Sequence, residues 1–221
     1  MMLNFIIKFK GLFSVKFKTF IKKFRDFNGY KGLDRRMLKY INYKDGFYIE
    51  CGANDGINQS NTWYFEKKLN WNGVLIEPIG EIFNELKKNR NKKNFFFNTA
   101  LKSFKNEEKF ITLNYDKNDS LTTKSNSENE LREKIKVNAS NLNELLDEIH
   151  SPREIDFFSL DVEGDEFNVL DGINFDKYSF KFILIECNQI DKLKIFLKNF
   201  NYELLEKLSE GDDYLFRKKK F

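Results

Sequence analysis

The chain is poor in the residues that mark linkers, disulfide frameworks and metal sites. Its 221 residues include two prolines and eleven glycines and show no repeat at solenoid spacing, which excludes a low-complexity chain and a repeat array. Cys51 and Cys187 each end an apolar run, which favours buried thiols in a reducing cytosol over a disulfide or a zinc site. The single histidine, His150, is interpreted as a loop residue.

Long apolar runs are also missing, because lysines interrupt the hydrophobic residues of the first segment every few positions. This excludes a spanning helix or a signal peptide there and favours a cytoplasmic protein. With 41% hydrophobic residues, the chain suits one large domain, which we place at residues 31–221, and an arm at residues 1–30.

The arm concentrates positive charge. Residues 1–25 carry seven of the 38 basic residues and no acid, which leaves 31 basic against 34 acidic residues beyond them. Phenylalanines at three- and four-residue spacing predict an amphipathic basic helix. It either packs on the domain or makes peripheral contact with an anionic inner membrane face. Nucleic acid is not expected as a partner, because the slightly acidic remainder would repel phosphates.

Apolar runs in the remainder alternate with helical patterns, which predicts an α/β fold with a parallel sheet covered on both faces. The predicted strands are Gly46 to Cys51, Gly73 to Glu77, Asn94 to Asn98, Ile155 to Asp161 and Lys181 to Cys187. The predicted helices are Asn61 to Leu69, Ile79 to Arg90, Leu142 to Ile149, Glu166 to Gly172 and Lys192 to Phe200. Tyr202 to Glu206 and Tyr214 to Lys218 suggest a closing antiparallel pair. Lys109 to Tyr115 is predicted as an extra strand and Asp116 to Glu130 as a mobile loop.

Carboxylates gather at the strand ends of this predicted sheet. Ligands of open α/β sheets bind outside the carboxyl ends of the strands. Six acids are expected at that rim: Glu50, Asp55, Glu77, Asp161, Glu163 and Glu186. A dinucleotide fits poorly, because its pyrophosphate would meet uncompensated negative charge and the turn "CGANDG" lacks the G-x-G-x-x-G spacing. S-adenosylmethionine, which is cationic and carries no phosphate, fits better. Gly52 and Gly56 allow close backbone approach, and Glu77 is placed to accept hydrogen bonds from both ribose hydroxyls.

Four segments carry a family likeness: "YIECGANDG", "SNTWYFEKKLNWNGVLIEP", "FNTAL" and "IDFFSLDVEGDEFNVLDGI". From about Gly46 to the C-terminus the chain resembles the FkbM-type family of S-adenosylmethionine-dependent methyltransferases. The resemblance implies the class I methyltransferase (Rossmann-like) fold, with a seven-stranded mostly parallel sheet, helices on both faces and an antiparallel C-terminal hairpin. It also implies methyl transfer to an oxygen, often a sugar hydroxyl.

The resemblance assigns roles to named residues. The residues that it implies around the methionine part, the ribose and the adenine of the cofactor are Glu50, Gly52, Asn54, Asp55, Gly56, Glu77, Thr99, Ala100 and Leu101. Asp161 and Glu163 would face the methyl-transfer site. Glu50 stands where the family usually has aspartate, and Asp165 stands where many relatives have histidine, so a histidine base is not available there.

A carboxylate is therefore expected to remove the acceptor's proton, and Asp161 or Glu163 is the candidate. A divalent metal bridging Asp161, Glu163 and Glu186 is a rival arrangement, although our assignment includes no metal. The expected partner is a small-molecule or glycan acceptor, with a lipid-linked glycan as one form. The alternative function is a non-catalytic cofactor- or glycan-binding domain of the same fold docked to a membrane surface.

Overall fold

The computed structural model describes residues 25–115, 122–123 and 133–219. Residues 1–24 of the predicted arm and most of the predicted loop Asp116 to Glu130 lie outside the described residues, so the arm helix and the loop's mobility stay predictions. Within the described ranges, no helix has the length and apolar character needed to cross a membrane.

Eleven strands occur in the described residues: β1 Phe47–Cys51, β2 Asn72–Ile76, β3 Phe95–Phe97, β4 Ala100–Leu101, β5 Phe110–Tyr115, β6 Thr122–Thr123, β7 Glu133–Ser140, β8 Glu154–Leu160, β9 Ser179–Glu186, β10 Tyr202–Lys207 and β11 Asp213–Lys218. The helices are α1 Leu33–Met37, α2 Trp63–Leu69, α3 Gly80–Asn89, α4 Leu142–Glu148, α5 Glu166–Leu170 and α6 Ile190–Lys198, with a 3-10 turn at Tyr30–Gly32 before α1. The five predicted helices and the eight predicted strands are confirmed within one or two residues at their ends.

The main sheet has seven strands in the order β10-β11-β9-β8-β1-β2-β3. Strands β1, β2, β3, β8 and β9 run parallel, and β11 pairs antiparallel with both β9 and β10. The predicted sheet and hairpin are therefore confirmed. Since β1 has neighbours on both sides and the chain reverses its direction of winding there, the edge beyond β1 and β8 is the expected ligand site.

Helices cover both faces of this sheet, which is why its strands are apolar throughout. On one face, α4, α5 and α6 pack on a core that includes Ile49, Phe158 and Ile183. On the other face, α1, α2 and α3 pack on Tyr48 and Phe157 and their neighbours. Burial of apolar surface on both sides is the main force that holds the parallel strands together.

A second sheet, in the order β4-β7-β5-β6, was not predicted as a unit. Strand β7, which pairs with β4 and β5, is missing from the sequence prediction. Strands β4 and β6 lie in segments predicted as part of a cofactor site and as a loop. The sheet has its own small core, to which Ile111, Leu113, Val137 and Ala139 contribute. The alternation of Ile135, Val137 and Ala139 with polar residues is the period-two signal that predicts such a strand.

A buried arginine at the end of α3 ties the helical face to the start of the site. The Arg90 side chain is fully buried and forms ion pairs with Glu66, at 2.7 Å, and Glu50, at 3.2 Å. Its guanidinium also donates to the hydroxyls of Tyr48, Ser60 and Thr62 at 2.7, 3.0 and 2.8 Å. One side chain therefore joins β1, α2, α3 and the segment between β1 and α2.

The charges in this network support one another. Although burial alone would raise the pKa of Glu66, the charge of Arg90 and the contacts with Arg90 and Lys67 lower it to about 2. Glu50 lies under the same guanidinium, with 4% of its surface exposed. Removing the cation would leave buried carboxylates without adequate compensation, which is costly in a medium of low dielectric constant.

We expect Arg90→Met to lower the free energy of unfolding by about 3–5 kcal/mol, because it leaves Glu50 buried with no cation and Glu66 with Lys67 alone. Urea unfolding followed by circular dichroism measures the change. The matched control is Arg217→Met, which removes an exposed ion pair with Glu203 of 2.6 Å and should cost no more than about 1 kcal/mol. Equal losses in the two variants would contradict the structural role of Arg90.

Candidate active site

The carboxyl ends of β1, β2, β8 and β9 lie along one edge of the main sheet. The predicted acids follow these strands directly: Glu77 after β2, Asp161 after β8, and Glu186 as the last residue of β9. This edge is called the rim below. The rim brings together side chains that lie more than a hundred residues apart in the sequence.

Gly52 opens the turn after β1 and cannot be replaced without displacing β8. Its φ is +77°, and a Cβ there would lie 1.8 Å from the carbonyl oxygen of Asp161. The N–H groups of Gly52 and Ala53 donate to the carbonyl of Ile76 at 3.1 and 3.0 Å. The turn is therefore fixed to the ends of both neighbouring strands.

The rest of the turn is shaped by local side-chain contacts. Asn54 has a φ of +49°, and Gly56 has a φ of +79° and packs against Leu86 and Arg90. The Asp55 carboxylate accepts the backbone N–H groups of Ile57 and Asn58 at 2.9 and 2.7 Å. Asp55 thus stabilises the turn that follows the glycines, in the way aspartate commonly does.

Glu50, predicted to contact the cofactor, is held within the protein. Its two oxygens accept the N–H of Asn61 at 2.7 Å and the hydroxyls of Thr62 and Ser60 at 2.6 and 3.0 Å, in addition to Arg90. Four donors fill the acceptor capacity of a carboxylate. Glu50 therefore fixes the segment behind the glycine turn, and direct contact with a cofactor stays a prediction for this residue.

Glu77 joins the glycine turn to the start of α3. One carboxylate oxygen accepts the N–H of Asn54 at 3.1 Å, and the other accepts the N–H of Ile79 at 2.8 Å. Burial raises the pKa of Glu77 to about 7, against the effect of these two donors. Each oxygen keeps capacity for one further donor, so Glu77 can hold a ligand that offers two hydroxyl groups.

Three residues predicted to lie near an adenine are found at β4, the edge strand of the second sheet: Thr99 precedes the strand, and Ala100 and Leu101 form it. All three are buried; Ala100 packs in the core of that sheet and Leu101 in the core of the main sheet. Sequence reasoning missed Asn98, whose amide donates to the carbonyls of Glu77 and Pro78 at 2.9 and 3.0 Å. The segment after β3 is thereby held beside Glu77, and contact with adenine stays a prediction.

The end of β8 gathers acidic groups around Asp161. The pKa of the Asp161 carboxyl lies well above its usual range. Burial is the largest cause, and the charges of Glu186 and Glu163 and a hydrogen bond to Glu186 add to it. A raised pKa means that the ionised Asp161 carboxylate takes up a proton more readily than a solvent-exposed aspartate does. Asp161 is therefore able to exchange a proton with a group bound at the rim.

The loop after Asp161 is open to solvent on one side and is held by a hydrogen bond to Glu166 on the other. Glu163 is exposed with a φ of +57°, and a Cβ at Gly164 would meet no atom within 4 Å. The buried Glu166, which sequence reasoning did not single out, accepts the N–H of Gly164 at 2.9 Å. The backbone at Gly164 therefore faces open space beside the rim.

Two further predictions concern histidine and metal. His150 is exposed in a turn after α4, with a φ of +51°, so its interpretation as a loop residue is confirmed. The part of the chain that the structure describes contains no group of three or more His, Cys, Asp or Glu side chains placed to hold a metal ion.

Comparisons with known proteins identify a family and a fold. The sequence pattern described as "Methyltransferase FkbM domain" matches residues 50–214. The structure is similar to the crystal structure of methyltransferase FkbM from Methylobacillus flagellatus KT, with a TM-score of 0.50 and 14% sequence identity over 81% of this chain and 45% of that one. The chain thus spans less than half the length of that protein. Precorrin-6y C5,15-methyltransferase from Geobacter metallireducens GS-15 aligns at 11% identity over 86% of this chain and 91% of that one, with a TM-score of 0.43. The search of curated proteins finds no match.

Two observations support one conclusion: the seven-stranded sheet with its antiparallel hairpin, and the family match over residues 50–214. The chain has the Rossmann-like methyltransferase fold predicted from its sequence, and it belongs to the FkbM methyltransferase domain family.

Proposed function

We propose that this chain is an S-adenosylmethionine-dependent O-methyltransferase whose acceptor is a hydroxyl group of a saccharide or glycan. The single observation that carries the cofactor assignment is the Glu77 carboxylate: one oxygen accepts the N–H of Asn54 in the glycine turn, the other accepts the N–H of Ile79 before α3, and each keeps a lone pair for a ligand. The acceptor class rests on the family resemblance and on a rim that offers a carboxyl base.

The residues present fit S-adenosylmethionine in shape and in charge. The glycine turn brings backbone close to the rim without side-chain bulk, and the open space above Gly164 lies beside it in the sheet order. Glu163 and Glu186, whose charges act on Asp161, supply negative charge, which favours a sulfonium and disfavours a pyrophosphate. When bound, the cofactor supplies an electrophilic methyl group.

In this proposal Glu77 orients the ribose, and the turn from Gly52 to Gly56 approaches the methionine part. Asp161 lies on the next strand, where it accepts the proton of the acceptor hydroxyl as that oxygen becomes nucleophilic. Asp161 acts in its ionised form and holds the proton afterwards, because burial and the charges of Glu186 and Glu163 favour its protonated form. Glu163 provides additional negative charge at the mouth of the site.

We expect Glu77→Ala to abolish binding of S-adenosylmethionine, because the variant loses the ribose acceptor and a support of the glycine turn. Isothermal titration calorimetry measures the loss, with NAD as a ligand that neither protein should bind. In the parent, affinity should rise as pH increases through about 7, since the ionised Glu77 carboxylate accepts hydrogen bonds more strongly.

The matched control for Glu77 is Glu85→Ala, a substitution on the exposed surface of α3 that should leave the binding isotherm unchanged. Tight binding by Glu77→Ala, or binding of NAD by the parent, would rule out this cofactor site.

Asp161→Asn is expected to lower the turnover number by about 10²-fold or more while cofactor binding remains measurable, because Asn keeps the shape but cannot take a proton. Transfer of labelled methyl groups from S-adenosylmethionine to a panel of glycan acceptors measures turnover. Glu186→Gln should move the rise of activity to lower pH, because it removes a charge that raises the pKa of Asp161. Full turnover by Asp161→Asn would refute its role as the base.

A further inference from the structure

A basic groove lies on the α1 side of the protein, outside the site described above. Its cavity has a volume of about 570 Å³. The lining residues are Lys31, Gly32, Arg35, Arg36, Lys39 and Glu206. This set is called the cationic groove below. It contains four cationic side chains and a single carboxylate.

Most of the positive charge in the cationic groove is not neutralised by the protein. Lys39 pairs with Glu206 at 3.1 Å, and the Arg36 guanidinium donates to the backbone carbonyl of Leu208. Among the described residues, no carboxylate lies within ion-pair distance of Lys31, Arg35 or Arg36. The groove therefore has a net charge of about +3 at neutral pH.

The local sequence places these cations in α1 and in the residues next to it. Lys31, Arg35 and Lys39 recur every four residues and are all exposed. The acid of the same helix, Asp34, is buried and accepts the backbone N–H groups of Asn28 and Arg35 at 2.7 and 2.9 Å. Only Arg35 of the three lies within α1, since Lys31 precedes the helix with a φ of +47° and Lys39 follows it. Like charges that line one groove repel one another. An anionic ligand would relieve that repulsion.

The groove is connected to the rim through the β10–β11 hairpin. Glu206 belongs to β10, and two residues later the N–H of Leu208 donates to the carbonyl of Asp213 at 2.8 Å. Asp213 in turn is paired with Glu186, the last residue of β9 at the rim. The groove and the rim therefore both border the β10–β11 hairpin.

We propose that the cationic groove binds the phosphate group of a phosphorylated ligand. Two guanidinium groups match a tetrahedral oxyanion through paired N–H donors, and two ammonium groups add charge without fixed geometry. A cavity of this volume accommodates a phosphorylated headgroup or a phosphorylated sugar. The cationic groove binds a phosphate, whereas the acidic rim repels one. The groove therefore takes an anionic group and the rim a cationic one. The proposal does not depend on methyl transfer, because its test measures binding.

The test uses the full chain labelled with ¹⁵N and titrated with inorganic phosphate, with sodium chloride at matched ionic strength as the reference. We expect saturable shifts of the amide signals of Lys31, Arg35 and Lys39. The double variant Lys31→Ala/Arg35→Ala should bind at least about tenfold more weakly, since it loses two charge-assisted contacts. The matched control is Lys92→Ala/Lys93→Ala, which removes two exposed positive charges after α3 and should bind as the parent does.

Thermal unfolding of both double variants checks that each is folded, which is expected because neither removes an ion pair of the described residues. Equal weakening in the two double variants, or unsaturable shifts spread over all surface lysines, would overturn the proposal. A second titration replaces phosphate by vesicles of phosphatidylcholine with phosphatidylglycerol. If vesicle binding weakens only in Lys31→Ala/Arg35→Ala, the phosphate that the groove binds belongs to a lipid headgroup. If this variant weakens the binding of inorganic phosphate but not of vesicles, the phosphate belongs to a soluble ligand.

Discussion

The ion pairs of Arg90 with Glu50 and Glu66 are the constraint on which the rest of the site depends. A guanidinium with no solvent contact is tolerated only if its donors and its charge are both satisfied, and here five groups from β1, α2 and the intervening segment do so. Because those groups belong to separate elements, the arginine fixes the position of α3 relative to β1. The glycine turn lies between these two elements.

The turn transmits this constraint to the rim. Close approach of Gly52 to the Asp161 carbonyl brings the ends of β1 and β8 together, and Glu77 links the turn to α3. The acids at the rim therefore lie near one another. Burial and then the charges of Glu186 and Glu163 raise the pKa of Asp161, which is the property that a proton acceptor for a hydroxyl group needs. The contacts that hold the turn and the strand ends together therefore also place the residues of the proposed chemistry.

The sequence predicts the main sheet well because its strands are apolar on both faces and its helices have regular spacing. It does not predict the second sheet, since β4 has two residues and β7 carries charged residues on its exposed side, as in Lys134 and Lys136. The positions of Gly52, Glu77 and Asp161 at the rim follow from the order of the elements. The partners of Arg90 do not, because pairing between residues 24 and 40 positions apart depends on how α2 and α3 pack. For the same reason the sequence does not predict that the Glu50 carboxylate is held by Arg90 and by three donors of the segment before α2.

A crystal structure of the full chain with S-adenosylhomocysteine is the most direct measurement of the central claim. The account predicts that both ribose hydroxyls donate to the Glu77 carboxylate, that the ligand's methionine part lies against the turn from Gly52 to Gly56, and that its sulfur faces Asp161. A ligand bound away from the rim, or bound at the rim with its ribose out of reach of Glu77, would contradict the account.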